Sequence, residues 1–292
     1  MTKKILAGIV VFNPEKNLIN LVDSLLCQDV EVFLYVNKSN FISEIILKSR
    51  KVKYFKSKTN NGISIAINKI IKNFMKFNYD FLFTFDQDSM INKNFIKEMI
   101  NIFVKARNID KNIISCAPLI LDIKFKENKY SNIFSTNKMK EFQYINFAIT
   151  SGSLFLKSSF EKVGLMNELL FIDGVDTDWC ERANLLKFKL IKSNNVYLKH
   201  KIGSKYINIF GFRKSYHDQN LRVYYIMRNS IFLLFFGQNT FIWKLSELLR
   251  ALIRLVAYPL LSSTKLKTIY FIFLAFKDGL LKTMGKMKYI EH

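Results

Sequence analysis

Two carboxylates one residue apart are the first side chains in this sequence whose type and spacing suggest chemistry. Asp86 and Asp88 come at the end of Phe81-Leu82-Phe83-Thr84-Phe85, a run typical of a strand buried on both faces. The alternation of a strand places both carboxylates on one side, where their repulsion favours a bound cation. Hard oxygen ligands favour Mg²⁺ or Mn²⁺, and Mg²⁺ is often shared between carboxylates and a substrate's phosphates. A solvated Asp-x-Asp turn is the alternative.

A second acidic cluster lies in segment 171–182 and leads into a predicted helix. Its carboxylates are Asp173, Asp176 and Asp178. Acids at a helix N-terminus interact favourably with the helix dipole, so this cluster also has a purely structural explanation. Farther on, His200 follows a short predicted strand at Asn195–Leu198. Its imidazole suits a metal ligand, although a lone histidine is more often structural.

The elements that position these residues alternate between strands and helices. The predicted strands are Ile5–Phe12, Val30–Val36, Val52–Phe55, Tyr79–Phe85 and Ile113–Ala117. The predicted helices are one capped by Asn13 with Pro14 in its first position, one over the apolar stripe Ile63–Phe74, and one from Asn92 to about Arg107. This alternation predicts an α/β fold with a mostly parallel sheet that binds ligands beyond the carboxyl ends of its strands.

The pattern changes in the second half of the chain. Tyr144–Leu156 predicts a strand interrupted by Ser151-Gly152-Ser153, and the sequence from about Ser215 is helical in pattern. We therefore expect a catalytic domain over residues 1–214 and a helical region over 215–292. A wide apolar face with basic edges over 241–258 favours a helix lying in the headgroup region of a membrane. Packing on the catalytic domain or in a dimer is the alternative, and we expect no spanning helix.

The composition indicates what kind of partner the chain binds and in which cellular compartment it works. The 292 residues include 45 Lys+Arg against 23 Asp+Glu, a net charge of +22, which favours a polyanionic partner. The lysines are spread without an Arg-rich or Gly-rich nucleic-acid module, so an anionic membrane or phosphorylated ligands rank above nucleic acid. Three dispersed cysteines fit a reducing cytoplasm. The apolar run from Ile5 to Phe12 has no cleavage site, so we interpret it as a strand and expect no signal peptide.

A series of motifs in a fixed order resembles a known family. The motifs are Val10-Val11-Phe12-Asn13-Pro14, Asn60-Asn61-Gly62-Ile63-Ser64-x-Ala66-x-Asn68, Asp86-Gln87-Asp88-Ser89, Ser151-Gly152-Ser153, Phe171-Ile172-Asp173-x-Val175-Asp176-Thr177-Asp178-Trp179-Cys180-x-Arg182-Ala183, His200-x-Ile202-Gly203 and Tyr224-Tyr225-x-x-Arg228-Asn229. Each is weak alone, but together they are specific. The chain resembles inverting glycosyltransferases of family two with the GT-A fold, and most of all bacterial rhamnosyltransferases of O-antigen and other surface polysaccharide pathways.

The resemblance implies a donor side built for a nucleotide-diphosphate sugar and a Mg²⁺ or Mn²⁺ ion. Asp88 is the expected metal ligand, and Asp86 is expected on the nucleotide ribose or a metal-bound water. His200 is expected as a further ligand or a diphosphate contact. Several cations, Arg228 among them, are candidates to offset the diphosphate charge.

The resemblance also implies two loops around the nucleotide. Phe12-Asn13-Pro14 is expected to cradle the nucleoside, and a donor-side loop is expected to contain Asn60, Gly62 and Asn68. Family members usually carry an aspartate after the second strand to recognise the base, whereas this chain has Asn37. An asparagine can still hydrogen-bond uracil or thymine, so dTDP and UDP donors both stay open.

On the acceptor side, the family uses the second acid of a Glu-Asp pair as general base. The corresponding pair here is Val175-Asp176, which makes Asp176 the expected base. We expect Asp178 either to cap the helix or to raise the pKa of Asp176 by repulsion. The remaining residues that we assign to the acceptor side or its support are Ser151, Gly152, Trp179 and Arg182.

The function that unites these features is transfer of L-rhamnose from dTDP-rhamnose to a lipid-linked glycan. We expect a peripheral protein at the cytoplasmic face of the bacterial inner membrane. One alternative is a UDP-sugar donor on the same fold, and another is a metal-dependent nucleotidyltransferase, although that class should carry a Gly-rich triphosphate loop near the N-terminus. A basic membrane-associated or nucleic-acid-binding protein without activity is the third alternative. This third alternative predicts that alanine at Asp86, Asp88 or Asp176 leaves function intact and that binding to the polyanionic partner weakens steeply with salt.

Overall fold

A computed structural model describes residues 3–14, 16–38, 50–122, 141–200, 205–209, 212–216 and 219–288, with only the backbone of residues 200, 205–209 and 212–216. Eight strands form one sheet in the order β3-β2-β1-β4-β7-β5-β8-β6, and β9 and β10 form a hairpin. The strands are β1 (Ile5–Val11), β2 (Glu31–Asn37), β3 (Val52–Ser57), β4 (Phe81–Asp86), β5 (Ile113–Asp122), β6 (Phe142–Ile145), β7 (Ser153–Phe155), β8 (Lys189–His200), β9 (Lys205–Ile209) and β10 (Phe212–Tyr216).

Helices flank the sheet and continue beyond it. They are α1 (Asn17–Leu26), α2 (Gly62–Lys76), α3 (Phe95–Ile109), α4 (Lys157–Val163), α5 (Val175–Leu185), α6 (Asn220–Phe236), α7 (Phe241–Leu261) and α8 (Lys265–Leu280). The four strands β3, β2, β1 and β4 are parallel, as are β5 and β8, whereas β7 and β6 run antiparallel to their neighbours. The predicted α/β architecture with a mostly parallel sheet is confirmed.

The strand order creates a crevice between the carboxyl ends of β1 and β4. From β1 the chain moves outward to β2 and β3, then returns to place β4 on the other side of β1. Ligands of open α/β sheets bind where the strand order reverses in this way, because the two following loops diverge there. The loops that leave this point are Phe12–Pro14 after β1 and the turn after Asp86.

Two apolar layers cover the faces of the sheet. One is formed with α1 and α3, for example Leu21 and Phe103, and the other with α2, α5 and the end of α6, for example Ile70, Trp179 and Leu233. Burial of such side chains stabilises each by roughly 1.5–3 kcal/mol relative to exposure. Because Leu233 belongs to this layer, α6 packs as part of the same core as the sheet.

The start of the first helix differs from the prediction. The helix begins at Asn17 after Lys16, and Asn13 adopts a positive φ of 48° and does not cap it. The physical reason is Pro14, which disfavours the α conformation in the residue before it, while asparagine tolerates positive φ better than most residues. The result is a short loop between β1 and α1.

Strand β8 is also longer than predicted, since it covers 12 residues and not only Asn195–Leu198. Its middle is irregular because the Ser193 hydroxyl accepts hydrogen bonds from the backbone of Asn195 and Val196. The polar residues at this bulge conceal the strand pattern. The segment Tyr144–Leu156, predicted as one interrupted strand, contains residues of two separate strands, β6 and β7. The C-terminal helices begin at Asn220 and not near Ser215.

The three C-terminal helices differ in how deeply they are buried. Helix α6 is largely buried and α8 packs along it, whereas α7 buries only Glu247 and Ala251 over 21 residues. Among the described residues, no helix combines the length and the apolar character needed to cross a membrane.

Candidate active site

The two loops at the crevice are joined by a glutamine. The Gln87 side chain accepts a hydrogen bond from the backbone NH of Phe12 (2.8 Å) and donates one to the Phe12 carbonyl (2.9 Å). This pair of bonds holds the end of β1 against the turn after β4, and Phe12 and Asn13 stay exposed beside it. The sequence analysis missed this role of Gln87, because its partner is 75 residues away and only its position between two aspartates marks it.

Two buried serines support the acidic turn on its protein side. Ser151 and Ser89 are buried, their hydroxyls lie 2.8 Å apart, and Ser151 Oγ accepts a hydrogen bond from the backbone NH of Asp86 (3.2 Å). The Ser89 NH closes the turn on the Asp86 carbonyl. Asp86 and Asp88 are only partly buried, so their oxygens reach the crevice. Ser151 therefore supports the turn, and an acceptor contact by its buried hydroxyl does not follow from the structure.

Gly152 is required by close packing behind the turn. It has a φ of 75°, and a Cβ at this position would lie 2.7 Å from the Leu198 side chain and 2.8 Å from that of Pro118. Its backbone NH donates to the Thr84 carbonyl at 2.6 Å. The glycine thus allows the chain to approach strands β4 and β5 closely, and its neighbours in the structure are protein atoms.

The end of β8 reaches the same edge of the sheet. Met90 and Lys199 exchange two backbone hydrogen bonds of 3.0 Å, which places the backbone of the next residue, His200, close to the acidic turn. The side chain of His200 lies outside what the structure describes, so its predicted role as a ligand stays a prediction. Within the described residues, no group of three or more His, Cys, Asp or Glu side chains forms a metal site. The described candidate ligands are therefore the carboxylates Asp86 and Asp88.

Asp176 has a strongly perturbed acidity. It lies in the first turn of α5, and the polar groups of Thr150 favour its charged form. Burial outweighs them and, together with the negative charge of Asp86, raises the pKa of Asp176 from 3.8 to about 7. The influence of Asp86 places the carboxyl of Asp176 within electrostatic range of the β4 turn. A carboxyl with this pKa is suited to exchange a proton near neutral pH.

Asp178 pairs with Arg182 and neither caps α5 nor raises the pKa of Asp176. Arg182 Nε donates to Asp178 Oδ2 at 2.9 Å, and both side chains are largely buried. The same guanidinium donates to the carbonyls of Val163 (2.6 Å) and Leu165 (2.8 Å). The pair therefore ties α5 to the segment after α4. The carboxylate charges that raise the pKa of Asp176 are those of Asp86 and Asp173, so the prediction that Asp178 does so is wrong.

Trp179 belongs to the core and not to an acceptor site. Its side chain is 1% exposed, packs against the rings of Phe155 and Phe160, and donates its indole NH to the Gly164 carbonyl at 3.0 Å. Neither a free ring face nor a free polar edge is left for a sugar. The prediction based on its nearness to the acids in sequence is therefore wrong.

The loop before α2 is held by protein contacts. Asn37 is buried, and its amide donates to the Gly62 carbonyl and accepts from the Asn61 NH, both at 3.0 Å. Asn60 Oδ1 accepts from the Gly62 NH at 3.0 Å. Gly62 has a φ of 81°, and a Cβ there would lie 2.3 Å from the Phe171 carbonyl oxygen. The glycine therefore fits the close approach of segment 171, and contact of Asn37 with a nucleobase stays a prediction.

Asn68 lies inside α2 and not in a donor-side loop. Its amide donates to the Met166 carbonyl (2.9 Å) and the Glu168 carboxylate (2.8 Å), and its oxygen accepts from the Met166 NH (2.8 Å). Both donor hydrogens are used within the protein. The side chain is also 1% exposed, so the predicted donor contact of Asn68 is wrong.

Helix α6 holds the loop that carries Asp176. Asn229 donates its amide to the carbonyls of Ile172 and Asp173, both at 2.7 Å, and its oxygen accepts from the Arg228 guanidinium. Arg222 forms an ion pair with Asp173, whose pKa is raised by burial against the opposing charge of that arginine. Arg228 is fully buried over the rings of Tyr224 and Tyr225. It is therefore structural, and the prediction that it offsets diphosphate charge is wrong.

The comparison with known proteins agrees with this geometry. Residues 7–164 match the family model described as glycosyl transferase family 2. The chain belongs to this family. It is a glycosyltransferase, which excludes the non-enzymatic and nucleotidyltransferase alternatives. Over 299 residues, 99% of both chains, it is 30% identical to the dTDP-rhamnosyl transferase RfbF of Shigella flexneri.

Solved structures of low sequence identity share the fold. S. aureus TarS 1–349 in complex with UDP matches with a TM-score of 0.61 at 14% identity, over 96% of this chain and 80% of that one. GalNAc-T7 with UDP, GalNAc and Mn²⁺ matches with a TM-score of 0.54 at 14% identity, over 80% of this chain and 47% of that one. These matches support the GT-A fold that the motifs predicted, and at such identities they show the fold alone.

Proposed function

We propose that this family-two glycosyltransferase moves L-rhamnose from dTDP-rhamnose to a lipid-linked glycan, with inversion at the anomeric carbon. The observation that carries the donor choice is the 30% identity to a dTDP-rhamnosyl transferase over 99% of both chains. The observation that supports the mechanism is the meeting of an accessible acidic turn and a carboxyl whose pKa is about 7.

Asp88 and Asp86 are the residues that would hold a Mg²⁺ or Mn²⁺ ion. They fit such an ion because they supply oxygen ligands at the sheet crevice, and the charge of Asp86 raises the pKa of Asp176 when no cation compensates it. A bound divalent ion supplies Lewis-acid stabilisation of the leaving diphosphate. The exposed loop Phe12–Pro14, held beside the turn by Gln87, is our proposed nucleoside cradle.

Asp176 is our proposed general base. In an inverting transfer the base accepts the proton of the acceptor hydroxyl while its oxygen attacks the anomeric carbon and the donor diphosphate departs. Because burial raises its pKa to about 7, the carboxylate is a stronger base than an ordinary aspartate and is still substantially deprotonated at neutral pH.

The acceptor and its location extend the proposal beyond the donor. We infer a lipid-diphosphate-linked saccharide of a surface polysaccharide pathway such as O-antigen synthesis, used at the cytoplasmic face of the bacterial inner membrane. In this view residues 1–214 carry the sugar-transfer chemistry and 215–292 support it and bind the membrane. The basic balance of +22 is compatible with a lipid-diphosphate acceptor.

A donor screen tests the proposal. The purified full chain is incubated with Mn²⁺ or Mg²⁺, a polyprenyl-diphosphate-linked glycan, and dTDP-rhamnose, other dTDP-sugars or UDP-sugars in turn, and product stereochemistry is determined by NMR. We expect transfer from dTDP-rhamnose, loss of transfer with EDTA, and an anomeric configuration opposite to that of the donor. Transfer from UDP-sugars alone would contradict the donor choice, and retained configuration would contradict the mechanism.

A further inference from the structure

Helix α7 presents an apolar surface that no described part of the chain covers. We define the outer face of α7 by six side chains that are 54–81% exposed: Phe241, Ile242, Leu245, Leu249, Leu252 and Val256. Exposed apolar patches of this size are unusual on isolated proteins and mark interaction sites. The helix begins at a defined cap, since Thr240 Oγ1 accepts a hydrogen bond from the Trp243 NH. The surface therefore belongs to an ordered helix.

The apolar face of α7 is too wide for a helix–helix seam alone. At about 100° per residue, its exposed apolar positions span an arc of roughly 160°. The polar residues Lys244, Glu247, Arg250 and Arg254 fill a stripe on the other side. A strict coiled-coil seam is narrower, whereas a helix lying in a membrane interface has this wide apolar face beside a charged stripe.

The exposed charges of α7, α8 and the residues that follow them are of one sign. Residues 241–288, all described, contain nine Lys or Arg but only two acids, Glu247 and Asp278. Both acids are buried and bonded inside the protein, Glu247 to Ser230 and Arg254, and Asp278 to the Tyr224 hydroxyl. The exposed cations of this segment, among them Arg250 and Lys277, therefore have no exposed carboxylate within residues 241–288 to offset them.

We propose that the outer face of α7 docks on an anionic lipid bilayer. Negatively charged headgroups complement the surrounding cations, and the acyl boundary accepts the apolar side chains. A second copy of the chain would instead bring two cationic surfaces together, which opposes a symmetric dimer through this face. The inference deepens the proposed function and rests on it for its biological purpose, but vesicle binding requires neither donor nor acceptor.

Docking at this face would lie close to the catalytic loop. Ser230 on α6 donates to Glu247 on α7 at 2.7 Å, and the adjacent Asn229 donates to the carbonyls of Ile172 and Asp173. Asp173 precedes the proposed base Asp176 by three residues. The helix that we place on the lipid thus connects through α6 to the loop that would receive a lipid-linked acceptor.

Vesicle co-sedimentation of the full chain tests the proposal. The vesicles are phosphatidylcholine alone or phosphatidylcholine with phosphatidylglycerol at about 3:1. The variants Ile242→Glu and Leu249→Glu place a negative charge on the outer face. Ile109→Glu is the matched control, because Ile109 is 74% exposed against 79% for Ile242 and ends α3, which packs on the other face of the sheet.

We expect binding to the anionic vesicles, weaker binding at high salt, and about tenfold or greater weakening by Ile242→Glu and Leu249→Glu. The Ile109→Glu variant should bind like the unchanged protein, and all variants should keep their melting temperature. The proposal is overturned if anionic vesicles are not bound, or if all three variants bind alike. It is also overturned if light scattering shows a dimer that Leu249→Glu dissociates while vesicle binding persists. A chain that binds vesicles but transfers no sugar would refute only the proposed function.

Discussion

The two acidic motifs of this chain look alike in sequence but differ in what supports and pairs with their carboxylates. In the β4 turn, Asp86 and Asp88 are partly exposed at the end of a strand, and the turn is supported by buried serines. In the α5 cluster, Asp173 and Asp178 are paired with Arg222 and Arg182, while Asp176 has no arginine partner among its described contacts.

This difference divides the chemistry between the two motifs. Carboxylates at the end of a strand in the crevice are oxygen ligands suited to a cation, whereas a carboxyl whose pKa is raised by burial and by a nearby negative charge is suited to proton transfer. Arginines pair with Asp173 and Asp178, which leaves Asp176 as the carboxyl of that cluster available to exchange a proton. The comparison therefore assigns the metal to the β4 turn and proton transfer to Asp176.

The largest effect is expected from Asp176→Asn. The amide cannot accept the acceptor proton, so kcat should fall about 10³-fold while the Kd for the donor nucleotide changes little. Steady-state kinetics and nucleotide titration measure the two quantities separately. An unchanged kcat, or a loss confined to nucleotide binding, would show that Asp176 is not the base and that proton transfer is not assigned to the α5 cluster.

A smaller loss is expected from Asp88→Asn in the β4 turn. Loss of one carboxylate should lower the rate about 10²-fold at limiting Mn²⁺, and higher Mn²⁺ should restore part of it. Rates measured over a Mn²⁺ titration check this. The matched control is Asp29→Asn, an exposed aspartate paired with Lys51 away from the crevice, at a positive φ that asparagine also tolerates. If both variants respond to Mn²⁺ like the unchanged protein, Asp88 is not a ligand.

Asp178→Asn should affect stability and leave the chemistry intact. The substitution removes a buried partner of Arg182, which would keep its bonds to two carbonyls but lose its counter-charge. We expect the free energy of unfolding to fall by about 2 kcal/mol, with kcat of the folded enzyme within about twofold of the original. Urea unfolding and kinetics at low temperature separate these effects. A large drop in kcat without destabilisation would show that Asp178 acts in the reaction.

The sequence predicted the sheet and the position of the site because these depend on local patterns. The apolar runs of β1 and β4 and the stripe of α2 have periods that identify their elements, and the acids stand at a strand end and a helix start. Because ligands of parallel sheets bind where the strand order reverses, this rule also predicts that the loops after β1 and β4 meet at the crevice. The order of the motifs along the chain identified the glycosyltransferase family.

The individual roles were less predictable because they depend on partners distant in sequence. Asp173 meets Arg222 from 49 residues away, and Gln87 meets Phe12 from 75 residues away. Asn68 and Trp179 lie in motifs, yet their polar groups bond to backbone carbonyls of segment 164–166. A sequence shows which residues can form such contacts but not which partner the fold brings near.

The smallest effect expected is a pH dependence of stability that originates in Asp176. Its pKa is about 7 in the folded protein against an ordinary value of 3.8. Between these values the folded chain keeps a proton that the unfolded chain has released, so the free energy of unfolding falls as pH rises from about 4 to 7. Because Asp176 is partly exposed, we expect this loss to be about 1 kcal/mol and not the full shift.

Comparison with Asp176→Asn isolates that contribution. The amide does not titrate, so the variant should gain stability relative to the original protein as pH rises from 4 to 7, and the difference should stay constant above about pH 8. Urea unfolding of both proteins across this range, without metal, measures it. Adding Asp86→Asn should move the midpoint of the Asp176 transition to lower pH, because the charge of Asp86 helps to raise that pKa. A midpoint that does not move would mean that the charge of Asp86 does not contribute to the acidity of Asp176, and that the two motifs do not share one electrostatic site.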